Sequence, residues 1–216
     1  MTYDLIIVSQ SKGELIQLTE NCIKSARKDN AELNIIVVET GYPYKYDVDK
    51  IVEYNGVFNY NRALNLGLKY AKSDFQILAN NDIIFHEGWS KIGDIMATNN
   101  YLSACALSND VRQVHFKKGL LAYEGYSIGY QLAGWCIFTH KSLWSYIGKL
   151  DEKYQFWFSD NLYAEQLKKA NIKHALICSV FVDHLGSRTL AKQDRRIQSQ
   201  YTFSQGRGTR EFRRLR

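Results

Sequence analysis

The stretch Phe75-Gln-Ile-Leu-Ala-Asn80-Asn81-Asp82 limits what this chain can fold into more than any other. It begins as a short, mostly apolar run, the pattern of a strand buried on both faces. It then stops at two amides and a carboxylate, and apolar residues resume at once with Ile83, Ile84 and Phe85. An open α/β sheet delivers such polar residues to the crevice at the carboxyl ends of its strands, where these sheets bind ligands. Asp82 is a hard oxygen ligand suited to Mg²⁺ or Mn²⁺, and an adjoining Asn adds a hydrogen-bond donor and acceptor. Taken alone, Asn-Asn-Asp reads as a turn between two strands. The surrounding pattern decides between the two.

That pattern alternates. Residues 3–9 carry the apolar centre Leu5-Ile-Ile-Val8 and predict a buried strand. Leu15, Leu18, Cys22, Ile23 and Ala26 recur at helical spacing over residues 13–28. A second strand is expected over 33–38, ending at Glu39, and a short third over 51–55. A helix over 60–72 then leads into the strand at 75–79. Strand, helix, strand in this order makes βαβ units and a parallel sheet. The first eighty residues therefore predict a Rossmann-like half, without the G-x-G-x-x-G fingerprint of dinucleotide binders. Further on, the spacing predicts a helix over 89–96, a strand over 102–107, loop over 119–130 and a strand over 132–138. Helices over 141–147 and 160–170 and a strand over 175–182 complete the chain, with Ser159 or Asp160 as the N-cap of the second helix. The fold class expected is a single-domain α/β architecture, a central mostly parallel sheet flanked by helices.

With 216 residues, of which 45% are hydrophobic and 23% charged, the chain can bury a substantial core. The N-terminus lacks the basic start and long apolar stretch of a signal peptide, and no run approaches membrane-spanning length. Cys22, Cys105, Cys136 and Cys178 are scattered without a CxxC pair, which predicts buried free thiols in a reducing compartment. A soluble cytoplasmic protein is expected. The formal charge of +6 is uneven: residues 188–216 hold nine Lys/Arg against two acids, leaving nineteen basic and twenty acidic groups in 1–187. A basic tail could hold nucleic acid or an anionic surface, reach over the site to a phosphate, or simply be solvated.

Several segments together resemble one family. Ala63-Leu-Asn65-Leu-Gly67-Leu-Lys-Tyr-Ala71-Lys-Ser-Asp74-Phe, running into the strand and Asn80-Asn81-Asp82, is similar to family 2 glycosyltransferases of the GT-A fold. Their pattern there is A-x-N-x-G-x-x-x-A-x-G-[DE]-[YF], a buried strand, then N-x-D or D-x-D. The spacing matches without gaps, with Ser73 in place of Gly. Gly134-Trp-Cys-Ile-Phe through Ile147-Gly-Lys-Leu-Asp151-Glu152 resembles the family's segment ending in iGgfDE. Ser159-Asp160 falls where the family has its E-D pair, and Val182-Asp-His184-Leu-Gly-Ser187 resembles its v-x-H-x-x-g-S ending. The resemblance covers residues 3–188, so a GT-A domain over 1–187 and a basic tail over 188–216 are expected.

What the resemblance implies is an inverting transfer of a sugar, of the hexosyl type, from a UDP- or dTDP-sugar to an acceptor hydroxyl on a glycan, a lipid-linked or another molecule. Asp82 and His184 would hold Mn²⁺ or Mg²⁺, the nitrogen ligand favouring Mn²⁺. Asp160 would take the proton from the attacking hydroxyl. Ser9, Glu39, Asn61, Asn65, Asn80, Asn81 and Gly134 would line the nucleotide-sugar. With Asn80 and Asn81 in place of acids, Asp82 alone brings charge to a metal. His86, His115, His140 and His174 read as structural or surface residues, and Trp135 and Trp157 as core aromatics or a platform for a sugar ring. Two other readings stay open: a transferase whose acceptor is nucleic acid held by the tail, and a non-catalytic nucleotide-sugar-binding module. A nucleotidyltransferase lacks support, because no Gly-rich, basic phosphate loop stands near the N-terminus.

Overall fold

The computed structural model describes residues 1–186 apart from 30, 120 and 121; Ser187 and the basic tail lie outside the described residues. Among the described residues nine strands form one sheet: β1 (Thr2–Ser9), β2 (Glu32–Glu39), β3 (Lys50–Glu53), β4 (Phe75–Asn80), β5 (Ile83–Phe85), β6 (Ser103–Ser108), β7 (Ala122–Glu124), β8 (Cys136–His140) and β9 (His174–His184). Five helices accompany them: α1 (Leu15–Ala26), α2 (Tyr60–Leu68), α3 (Lys91–Thr98), α4 (Leu143–Ile147) and α5 (Ser159–Lys169). The order across the sheet is β3-β2-β1-β4-β8-β6-β9-β5, with β7 also paired to β9.

The first four strands are parallel, as their unbroken apolar runs predict. Leu5 to Val8 face Ile35 to Val38 residue for residue, and all but Val8 are wholly buried. The chain moves one way along the sheet from β1 to β2 and the other way from β3 to β4. Right-handed crossovers therefore put α1 and α2 on opposite faces. Beyond β4 the sheet is mixed, since β8 runs antiparallel to both β4 and β6, and β5 and β7 run antiparallel to β9.

Local chemistry sets the element ends. Asn59 caps α2, extended at φ −146°, its side-chain oxygen accepting the Arg62 N–H at 2.9 Å. The buried Asp4 carboxylate accepts the backbone N–H groups of Lys72 and Ser73 and the Asn34 amide, which fixes the turn entering β4. α5 starts differently from expectation. Its N-cap is Phe158 in the left-handed region at φ 72°, with no side-chain cap, and Ser159 and Asp160 are its first two helical residues. The stretch 119–130, expected as loop, contains the three-residue strand β7, held by its pairing to β9 rather than by any pattern of its own.

Candidate functional site

Three strand ends make one row. In the β1–β2 register Ser9 lies beside Glu39, and in the β1–β4 register Val8 lies beside Asn80. Ser9, Glu39 and Asn80 thus stand together at the carboxyl edge. Glu39 is buried; its Oε1 accepts the backbone N–H groups of Ser11 and Gly41 at 2.8 and 2.7 Å, while its Oε2 makes no hydrogen bond among the described residues. A buried carboxylate oxygen without a donor is costly, and a ligand N–H or O–H would satisfy it. Ser9 Oγ lies 2.8 Å from Thr19 Oγ1 and 3.0 Å from Tyr46 Oη, and Asn81 donates to the same Thr19 oxygen at 3.1 Å. Ser9 and Asn81 are thereby tied to α1 and to each other.

Asp82 and His184 meet because of the β5–β9 ladder. Ile83 pairs with His184, and the Leu185 N–H donates to the Asp82 carbonyl at 3.0 Å. The two side chains are almost fully shielded, with His184 Nε2 3.5 Å from Asp82 Oδ1. That separation exceeds an ordinary hydrogen bond. It is close to the spacing of two ligands on a single ion with bonds of about 2.1 Å. His184 Nε2 is buried and makes no hydrogen bond among the described residues. Burial pushes its pKa below the ordinary value, against the pull of Asp82 and Asp110 and with the help of Arg112, so the ring is held neutral with a lone pair to give. These residues fit a divalent cation. Among the described residues no cluster of three or more His, Cys, Asp or Glu could hold one by itself. A two-residue site suits a metal completed by substrate phosphates.

Asp160 lies on the near side. A Cβ on Gly134 would stand 2.8 Å from Asp160 Cβ and 3.2 Å from its Oδ2, so the glycine is what lets the carboxylate lie against the start of β8. Asp160 Oδ1 accepts the Asn161 N–H at 2.9 Å. Burial raises its pKa, opposed by that N–H, its own backbone N–H and the Arg112 charge. The rival role foreseen for it, a helix N-cap, belongs to Phe158 by position. A bulky aromatic at positive φ next to a candidate base is backbone strain of the kind that gathers at functional sites.

The two parts are joined through Tyr60, Asn80 and Trp135. Tyr60 Oη donates to Asn80 Oδ1 at 2.7 Å, the Asn80 N–H donates to the Trp135 carbonyl at 2.9 Å, and the Trp135 ring stacks on His184. Of the nucleotide residues expected from the sequence, Ser9, Glu39, Asn80, Asn81 and Gly134 gather here with Asp82, Asp160 and His184. Asn61 and Asn65 do not join them: Asn61 donates to the Asp151 carbonyl, and Asn65 exchanges hydrogen bonds with Leu150 and reaches Glu152. They fasten α2 to the Asp151-Glu152 segment. Trp135 is no free platform, because the His184 ring is stacked on it and the Arg112 guanidinium lies over it. His86 pairs with Asp183 and His174 lies in the core, in line with their structural reading. Reading the sequence missed Arg112, Tyr60 and Thr19. Asp110-x-Arg112 signals a local ion pair at most, and the partners of Tyr60 and Thr19 are distant in sequence.

A nine-stranded mixed sheet with this order and these flanking helices is the GT-A fold of glycosyltransferases. Superposed on 85% of this chain, a crystal structure of GalNAc-T7 with UDP, GalNAc and Mn²⁺ gives a TM-score of 0.68 at 11% identity, 43% of that chain being covered. TarS from S. aureus gives 0.64 at 12% identity, with 84% of this chain and 36% of that chain covered. Its 1–349 fragment gives 0.62 at 10% identity, with 84% and 60% covered. The chain thus spans between about a third and three fifths of these proteins, and the likeness is one of fold. No protein-family model matches the sequence, and no curated protein matches it either. Among the described residues no helix is long and apolar enough to cross a membrane.

Proposed function

We propose that this chain is an inverting, metal-assisted glycosyltransferase that takes a sugar from UDP-sugar, or its dTDP counterpart, to an acceptor hydroxyl. The observation that carries the reading is the convergence of Asp82 and His184, from two strands, 3.5 Å apart in a shielded crevice beside Asp160. A GT-A neighbour that holds UDP, GalNAc and Mn²⁺ supports the choice of donor and ion.

Bound between Asp82 and His184, Mn²⁺ would offset the charge that grows on the leaving diphosphate. The remaining work falls to the chain. Glu39, pinned by two backbone N–H groups, presents Oε2 to a donor group of the base or ribose. Asn80, fixed by Tyr60, presents its amide N–H₂ at the edge where the diphosphate would lie. Asp160 accepts the proton of the acceptor hydroxyl as that oxygen attacks the anomeric carbon from the face opposite the diphosphate. One displacement inverts the centre and requires no covalent intermediate. A carboxylate raised by burial is the stronger base for this step.

The decisive test is a thermal-shift screen of UDP-, dTDP- and GDP-sugars with and without Mn²⁺. A UDP- or dTDP-sugar raises the melting temperature further when Mn²⁺ is present, and Asp82→Ala abolishes the metal-dependent part. Stabilisation that ignores Mn²⁺, or none with any donor across the panel, counts against the proposal. Donor binding without turnover over a broad acceptor panel would instead favour a non-catalytic module.

A further inference from the structure

Resting on the metal reading above, the surroundings of His184 raise a question of their own. Metal-binding imidazoles are ordinarily aimed by a hydrogen bond from the second ring nitrogen to a carboxylate, carbonyl or water. Among the described residues no protein group forms such a bond with either ring nitrogen of His184. Its backbone N–H is held by Asn109 Oδ1 at 2.8 Å, but that bond leaves the ring free to turn about its side-chain torsions. The ring itself lies flat on Trp135, with centroids 4.7 Å apart and planes within 9°.

A second group lies over the same indole. The Arg112 guanidinium sits 5.2 Å from the ring centre. Arg112 is in turn forked onto Asp110, Nε to Oδ1 at 2.8 Å and Nη2 to Oδ2 at 2.9 Å. Behind it stands Gly129 at φ 80°, where a Cβ would fall 2.6 Å from the guanidinium carbon, so only glycine leaves room for the stack. The loop that carries these groups is rigidly seated. Gln113, wholly buried, accepts from the Ser108 N–H and hydroxyl at 2.8 and 2.7 Å and donates to the Tyr130 carbonyl at 2.6 Å. Asn109, Asp110, Arg112 and Gln113 thus brace one histidine from its backbone and from its ring.

We propose that Trp135 and Arg112 are positioning residues for the metal site: the stack of His184 on Trp135, an indole that the Arg112 guanidinium also covers, fixes the imidazole plane where a hydrogen bond would ordinarily do so. A flat aromatic surface restricts the ring to rotations within its own plane. Arg112, unable to leave Asp110, keeps that surface from tilting. Nε2 therefore stays aimed at Asp82 before any ion arrives.

The test is Mn²⁺ affinity of the full chain saturated with UDP, read from the paramagnetic resonance signal of free Mn²⁺. Trp135→Leu removes the flat face, and a loss of about 10–100-fold is expected, the usual effect of removing an orienting group. Trp135→Phe keeps an aromatic face and retains most of the affinity. Arg112→Met keeps the stem but not the fork, and falls between the two. UDP affinity in the absence of metal is unchanged in all three. If Trp135→Leu does not fold, the contrast of Arg112→Met with wild type carries the test. In the metal-free protein, the upfield ring-current shift of the His184 ring protons should be present in wild type and diminished in Arg112→Met. Equal Mn²⁺ affinity in wild type and Trp135→Leu, or as large a loss in Trp135→Phe as in Trp135→Leu, overturns the inference alone. A wild type that binds neither UDP nor Mn²⁺ overturns the proposed function and this inference with it.

Discussion

In Asp160 the proposed role as base and the stability of the fold pull in opposite directions. Burial favours its protonated form, so the folded state binds that proton more tightly than the unfolded chain does. A carboxylate with a raised pKa in the folded state withdraws stability as pH rises from the unfolded Asp value through the raised folded one, and the cost persists above it. Asp160→Asn should therefore raise resistance to urea at pH 7 while lowering kcat by about 10²–10⁴-fold, the usual contribution of a general base. In the wild type the acid limb of kcat/KM should lie above the ordinary Asp value of about 3.9. A variant that loses activity and stability together would point to a structural role for the carboxylate.

At the scale of elements, Gly67 shows how closely α2 is laid on the sheet. A Cβ there would come within 2.5 Å of Ile6 Cγ2 on β1 and 3.0 Å of Val38 Cγ2 on β2. Gly67→Ala gains helix propensity of up to about 1 kcal/mol but overpacks the interface by about 1–3 kcal/mol. A net fall in stability is expected, measured as a lower urea midpoint with an unchanged slope. The same contact explains why the pattern read around Ala63, Asn65 and Gly67 was informative: it records a packing demand of βαβ units as much as a site. Strands β1, β2 and β4 were legible because burial on both faces leaves an unbroken apolar run. β7 was not, for it has three residues and owes its form to β9. Nor was Phe158 as an N-cap, since nothing in an aromatic residue announces a positive φ that tertiary packing imposes. Asp82, Asp160 and His184 were expected together from motif spacing, and the structure brings them to one crevice. The destinations of Asn61 and Asn65 were hidden, because their partners lie 85–90 residues away. The stack on His184 was equally hidden, joining three separate stretches of chain.

For the molecule as a whole, the far end of β9 contains a titration hazard. His174 is wholly buried, its Nδ1 2.7 Å from Ser103 Oγ, which is itself 2.7 Å from Tyr163 Oη, while Nε2 lies 3.1 Å from the Gln131 carbonyl. Burial pushes its pKa down to about 4 from 6.5. The unfolded chain then takes up the proton first, so stability is intact above 6.5 and declines as pH falls toward 4. Unfolding measured at pH 7 and at pH 4.5 should differ by about 2–3 kcal/mol from this group. His174→Gln should flatten that part of the profile.

β9 also carries an irregularity. Ala106 of β6 pairs with Ile177, but the next residue, Leu107, pairs with Phe181, so β9 accommodates three extra residues before it reaches His184. Side chains alternate between faces along a strand, and a one-residue slip turns every later one over. Selection acting on this segment should therefore tolerate changes of residue between Cys178 and Val180 far more readily than changes of length. A single-residue deletion there would leave the hydrophobic pattern of β1, β2 and β4 untouched while turning His184 away from Asp82. Descendants of this chain that lose or gain one residue at that point would keep the architecture and lose the proposed metal site.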